Sequence, residues 1–142
     1  MPPQVSVIMN CYNGERFLRE ALDSVVAQTM TDWEVIFWDN GSTDASATIA
    51  QGYGPKIKYF RAEVNEPLGA ARNHAVQRAS GTYLAFLDTD DVWLPHTLDR
   101  LLRAIREDDA VLAYAGIIEM DVEGRALRTV LPEHGSDRKS TR

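Results

Sequence analysis

The amino-acid sequence predicts an α/β fold in which a mostly parallel sheet carries helices on both faces. Short β-rich apolar runs alternate with amphipathic stretches along most of the chain. Parallel strands need helix-sized crossovers, and the spacing between runs supplies them. The run Tyr83-Leu84-Ala85-Phe86-Leu87 has no polar interruption, as expected of a strand covered on both sides.

Val5 to Met9 reads as the first strand, Asn13-Gly14 as the turn after it, and Asn13 as a helix cap. Phe17, Leu18, Ala21, Leu22, Val25 and Val26 recur at helical spacing and stop before Gln28-Thr29. Trp33 to Trp38 is the second strand, and Ala45, Thr48, Ile49 and Ala50 mark a short second helix. Gly52, Gly54 and Pro55 break the chain before a third strand, Ile57 to Phe60. A third helix spans Leu68 to Ala79, with Ala71, Ala75, Val76 and Ala79 on one face. The strand Tyr83 to Leu87 is expected at the centre of the sheet. Pro95 suits the first turn of a fourth helix whose buried stripe is Leu98, Leu101, Leu102 and Ile105. Val111 to Ile118 reads as a fifth strand, Asp121-Val122-Glu123-Gly124 as a turn and Arg125 to Leu131 as a last strand. At 142 residues the chain has the size of one domain, placed at 1–132, with 133–142 as a polar, frayed tail.

Twenty-one acidic against fifteen basic side chains give a net charge of -6, with no long basic run, which disfavours nucleic acid as a partner. Cys11 is the only cysteine, so an internal disulfide is excluded. No signal-peptide pattern opens the sequence and no apolar run reaches membrane-spanning length. A cytoplasmic location is expected, any membrane association being left to regions outside these residues.

Three polar clusters each follow a strand: Asn10 to Asn13, Asp39 to Asp44 and Asp88 to Asp91. They should meet at one edge of the sheet, where open α/β sheets bind ligands. In Asp88-Thr89-Asp90-Asp91 the first and third carboxylates, if extended, point to the same side roughly 6 to 7 Å apart. One could reach a ribose hydroxyl while another binds a hard cation whose remaining positions take diphosphate oxygens and water. The same acids could also cap the following helix. Asp39 to Asp44 could equally be a turn with Thr43 or Asp44 as a cap, and Tyr12 could pack at a rim as readily as face a base.

Taken together, Val5 to Asn13, Trp38 to Asp44, Asn65 to Asn73 and Leu87 to Pro95 closely resemble, in order and spacing, the family 2 glycosyltransferases. The resemblance covers about residues 4 to 118. It implies the GT-A fold, a Rossmann-like three-layer α/β/α sandwich that binds a nucleoside diphosphate sugar and transfers the sugar to an acceptor hydroxyl with inversion. Carried over by position, Cys11, Tyr12 and Asn13 flank the nucleobase, Asp39 contacts it, and Asn40 lies beside the nucleotide. Arg72 matches the arginine of the family's Ala-Arg-Asn segment. Asp88, Thr89 and Asp90 form the D-x-D motif, Asp88 toward ribose and sugar and Asp90 toward Mg2+ or Mn2+, with Asp88 or Asp91 as a possible second ligand. Such a metal would stabilise the charge growing on the leaving diphosphate, while a carboxylate on the opposite face deprotonates the acceptor.

Asn10 stands where the family commonly has proline, and Asn40 where it often has a second aspartate. No segment after Met120 matches the family's acceptor-binding region, and no general base is identified: Glu119, Asp121, Glu123 and Glu133 read as turn or edge residues. The implied function is therefore an inverting glycosyltransferase or its donor-binding part. A truncated, non-catalytic nucleotide-sugar-binding or interaction domain is the alternative. The acceptor, whether glycan, lipid or protein, is not identified. A missing C-terminal region would leave apolar surface able to drive self-association. A nucleotidyltransferase is disfavoured because no glycine-rich, lysine-bearing phosphate loop occurs. His74 and His96 lack partners at metal-ligand spacing. Cys11 suits a small buried side chain, and Trp93 either a pocket wall or loop packing.

Overall fold

A computed structural model describes residues 1–131. The elements run β1 (Val5–Cys11), α1 (Glu15–Val26), β2 (Trp33–Asp39), α2 (Ser46–Gln51), β3 (Ile57–Arg61), α3 (Leu68–Val76), β4 (Tyr83–Phe86), α4 (Thr97–Glu107), β5 (Ile117–Met120) and β6 (Ala126–Val130). Two compact units divide the chain at Leu98/Asp99, where the sequence suggested one. The expected tail, 133–142, lies outside the described residues.

In the first unit β1 to β4 form a wholly parallel sheet in the order β3-β2-β1-β4. Successive side chains on a strand face opposite sides, so each strand contributes to two cores. Ile8, Ile36 and Trp38 pack with Ala71 and Ala75 of α3 on one face. The two alanines, one helical turn apart and wholly buried, let the α3 backbone approach the sheet closely. Val7, Met9, Val35 and Phe37 alternate with that set, and the buried residues Leu18, Leu22, Val25 and Ile49 belong to α1 and α2, which pack together. The helices thus supply both outer layers of the expected sandwich.

Every residue of β2, and all but Asn10 of β1, is buried. These are the central strands, not Tyr83 to Leu87 as the sequence suggested. β4 pairs only with β1 among the described strands, leaving Leu84 44% and Phe86 53% exposed. An unbroken apolar run reports that a strand can be buried, whereas strand order decides whether it is.

At the amino ends of these strands a buried polar network ties the sheet together. Glu34 of β2 accepts hydrogen bonds from Ser6 Oγ (2.6 Å), Ser80 N–H (2.8 Å) and Ser80 Oγ (2.9 Å), and forms an ion pair with Lys58 of β3. Ser6 Oγ also accepts from Gly81 N–H at 2.8 Å. Burial alone would raise the Glu34 pKa, but the hydrogen bonds from Lys58, Ser6 and Ser80 outweigh it and bring it down to about 2.

The second unit comprises most of α4 and an antiparallel β5–β6 hairpin with an irregularity between Glu119 and Met120. The fifth strand therefore begins at Ile117, not Val111, and pairs only with β6 in a sheet of its own. Arg128 binds Glu119 through two bonds of 2.6 and 2.7 Å, fixing the register.

Candidate functional site

Chain direction across the sheet reverses between β1 and β4: β1, β2 and β3 progress one way, and α3 then returns the chain to the other side of β1. Loops leaving neighbouring strands diverge at such a point and open a crevice at their carboxyl ends. A cleft of about 320 Å³ lies there, lined by Tyr12, Asn13, Gly14, Arg16, Phe17, Thr89 and Asp90.

Two strand-end loops laced to each other build its first wall. Asn13 N–H donates to Ser42 Oγ, Gly14 N–H to Ser46 Oγ and Glu15 N–H to Asp44 Oδ2, each at 3.0 Å. In return Asn13 Oδ1 accepts from Thr43 N–H and Glu15 Oε2 from Ala45 N–H, both at 2.8 Å. The N–H groups of Gly14 and Glu15, at the start of α1, are thus met by Ser46 and Asp44. Asn13 is not the helix cap expected; it sits in the left-handed region, φ 51°, which Asn tolerates better than most residues. Asp44 also accepts from Ser46 N–H at 2.9 Å, so one carboxylate serves the starts of α1 and α2.

The opposite wall is the loop after β4. Leu87 N–H donates to Ile8 O at 3.1 Å, and the chain then departs through Asp88. A Cβ on Gly14 would stand 3.0 Å from both Cys11 Sγ and Thr89 Oγ1, so glycine lets the walls touch. Cys11 is buried beneath, and burial raises its thiol pKa, with hydrogen bonding to Ser46 opposing. Gln28, buried at the end of α1, donates to Leu94 O at 2.7 Å and accepts from Leu98 N–H at 3.0 Å, anchoring the segment after the acids. Trp93 N–H donates to Ser24 Oγ at 3.1 Å.

Arg72 of α3 reaches Asp88 at 2.9 Å, so two expected site residues from separate motifs form an exposed ion pair. The Asp91 pKa is raised by partial burial and by repulsion from Asp90 and Asp88. Of these three carboxylates only Asp88 is ion-paired, with Arg72, and the surplus of negative charge is one that a divalent cation would offset. Among the described residues no group of three or more His, Cys, Asp or Glu side chains converges on one metal position. A pair such as Asp90 with Asp88 or Asp91 remains compatible with a cation whose other ligands come from diphosphate and water.

Asp39 and Asn40 are both held by protein partners. The Asp39 side chain is 0% exposed: Oδ1 accepts from Ser42 N–H (2.7 Å), and Oδ2 from Tyr59 OH and Arg61, both at 2.6 Å. The carboxylate offers a base no exposed acceptor because Arg61, its register partner on β3, covers it. Arg61 also donates to Ser42 O at 2.7 Å. Asn40 is buried, its amide donating to Glu66 O at 2.7 Å and accepting from Glu66 N–H at 3.1 Å. Asn65 Nδ2 donates to Asn40 O at 3.0 Å. Asn40 therefore clamps the loop leading into α3, and an aspartate could not make the donating half of that clamp.

The sequence reading did not place Arg16, Phe17, Arg61, Ser46 or Gln28 at the site. His74 stacks on Trp38 at 5.1 Å between ring centres and lies 3.4 Å from Glu66, while His96 lies 3.2 Å from Thr29 Oγ1. In the second unit Glu119 pairs with Arg128, and Asp121 and Glu123 with Arg125; Glu133 lies outside the described residues.

Comparison with known proteins adds an independent line. The family described as "Glycosyl transferase family 2" matches residues 6–139. An uncharacterized glycosyltransferase of Rickettsia typhi is 36% identical over 133 residues, covering 92% of this chain and 42% of that protein. A crystal structure of Staphylococcus aureus TarS residues 1–349 with UDP superposes with a TM-score of 0.72 at 30% identity, over 88% of this chain and 38% of that one. TarS has also been solved with UDP-GlcNAc. The mannosyltransferase PcManGT of Pyrobaculum calidifontis, solved with GDP-Man and Mn2+, gives a TM-score of 0.68 at 22% identity over 85% of this chain and 36% of that one, a likeness of fold. The chain thus spans about two fifths of the length of these relatives.

Proposed function

Because the chain belongs to glycosyl transferase family 2 and has the GT-A fold, we propose that its switch-point cleft binds the nucleoside diphosphate sugar of a metal-dependent, inverting glycosyl transfer. The observation that carries the reading is the meeting of Arg72 with Asp88 beside a cleft lined by Tyr12 and Asp90, since these residues come from three separate sequence motifs. TarS, similar over the same region, binds UDP and UDP-GlcNAc.

Tyr12 offers the cleft an exposed aromatic face for the base, with Asn13 and Thr89 at its sides. Asp88, oriented by Arg72, accepts hydroxyl hydrogens of ribose or sugar. Asp90, with Asp88 or Asp91, would hold Mg2+ or Mn2+, which when bound supplies Lewis-acid stabilisation of the leaving diphosphate. Asp39 and Asn40 serve the site indirectly by fixing the loops around it. Cys11 is buried beside Gly14, beneath the residues that line the cleft.

A second reading, donor binding without transfer, is favoured by one observation. Glu119, Asp121 and Glu123 are each engaged by an arginine of their own hairpin, which leaves none of them unpaired to serve as the base. Calorimetric titration with UDP, GDP and dTDP sugars, with and without Mn2+, tests both readings. Metal-dependent binding of one donor that Asp90→Ala weakens to the metal-free level is expected. Absence of binding to every donor with metal present would sink the donor site, and turnover by this chain would eliminate the second reading.

A further inference from the structure

Arg16 is a cation of the cleft that no motif predicted. It lies in the first turn of α1 and lines the cleft with Tyr12, Thr89 and Asp90. Its guanidinium sits 4.7 Å from the centre of the Phe17 ring, which also lines the cleft, so the aromatic face limits where the charge can go. Arg16 forms no ion pair with a carboxylate among the described residues, and the residue is exposed. The other arginine of the site, Arg72, is engaged by Asp88.

The backbone donors just before Arg16 are already taken. The N–H groups of Asn13, Gly14 and Glu15 are bound by Ser42, Ser46 and Asp44, and the Glu15 carboxylate is held by Ala45 N–H. The acids across the cleft repel a phosphate unless cations offset them. Arg16 is the one cleft-lining side chain with a positive charge.

Resting on the donor-site reading above, we infer that Arg16, oriented by Phe17, is a phosphate-binding residue for the nucleotide and supplies positive charge at the wall facing Asp90. A guanidinium donates paired, charge-assisted hydrogen bonds to phosphate oxygens, whereas it gains far less from an uncharged nucleoside.

The test compares UDP and GDP with uridine and guanosine by ligand-observed NMR titration, which reaches weak affinities, on the full chain and on Arg16→Ala and Arg16→Lys. Arg16 is exposed and its replacement removes no buried contact, so equal melting temperatures establish intact folding. Arg16→Ala should weaken the diphosphate about tenfold, leave the nucleoside within about twofold, and be partly rescued by Arg16→Lys. Unchanged diphosphate affinity, or equal losses for diphosphate and nucleoside, would overturn the assignment while leaving the donor site standing. Failure of the unaltered chain to bind either nucleotide would overturn both.

Discussion

Replacing Glu34 by glutamine isolates the buried carboxylate that ties β1, β2, β3 and the α3–β4 turn together. Glutamine keeps the shape, and its carbonyl can still accept from Ser6 and Ser80, but it loses the charge facing Lys58. The carboxyl is held at about 2 in the folded chain against an ordinary 4.5. At ~1.4 kcal/mol for each pH unit, ionised Glu34 contributes about 3 kcal/mol at neutral pH. A depressed carboxylate contributes its full stability above its unfolded pKa and loses it as pH falls through the folded one. The contribution therefore shrinks below pH ~4.5, to about 1.4 kcal/mol at pH 3, and vanishes below ~2. Urea unfolding at pH 7, 5, 4 and 3 measures the gap between unaltered chain and Glu34→Gln, in which other titrating groups cancel. All three tryptophans, Trp33, Trp38 and Trp93, lie in the unit that ends at Leu98, so their fluorescence reports on the sheet. A gap of the same size at pH 7 and pH 3, or none at pH 7, would refute the reasoning.

Two glycines should respond to alanine with opposite signs. At Gly81 a Cβ would stand 2.6 Å from Ser6 N in the backbone of β1, so Gly81→Ala should destabilise by about 1–3 kcal/mol in urea unfolding. Gly69, in α3 with nothing within 4 Å of its Cβ position, should gain about 0.5–1 kcal/mol. Asn40→Asp, a change toward the residue common in the family, should cost about 1–3 kcal/mol because it opposes a carboxylate to the Glu66 carbonyl; an unchanged melting temperature would remove the clamp from the account.

What the sequence determined by itself was local or periodic. Alternation of apolar runs and helical stripes gave β1 to β4 and α1 to α4 within a few residues, and polar clusters after strands located the sheet edge that carries the cleft. Four ordered motifs identified the family, which a positional pattern can do without coordinates. Tertiary structure decided what depends on register and strand order. Tyr83 to Leu87 looks central because hydrophobicity is a property of the strand, yet its place at the edge of the sheet formed by the described strands is a property of strand order. Asp39 is matched to a base-contacting acid by resemblance alone, and only the fold shows that Arg61 and Tyr59, brought beside it by β3, make its burial tolerable. Arg16 carries no signature of its own, since a charged residue in the first turn of a helix is ordinarily solvated. Only the folded loops reveal that it faces Asp90 across a cleft, where the same charge has something to bind.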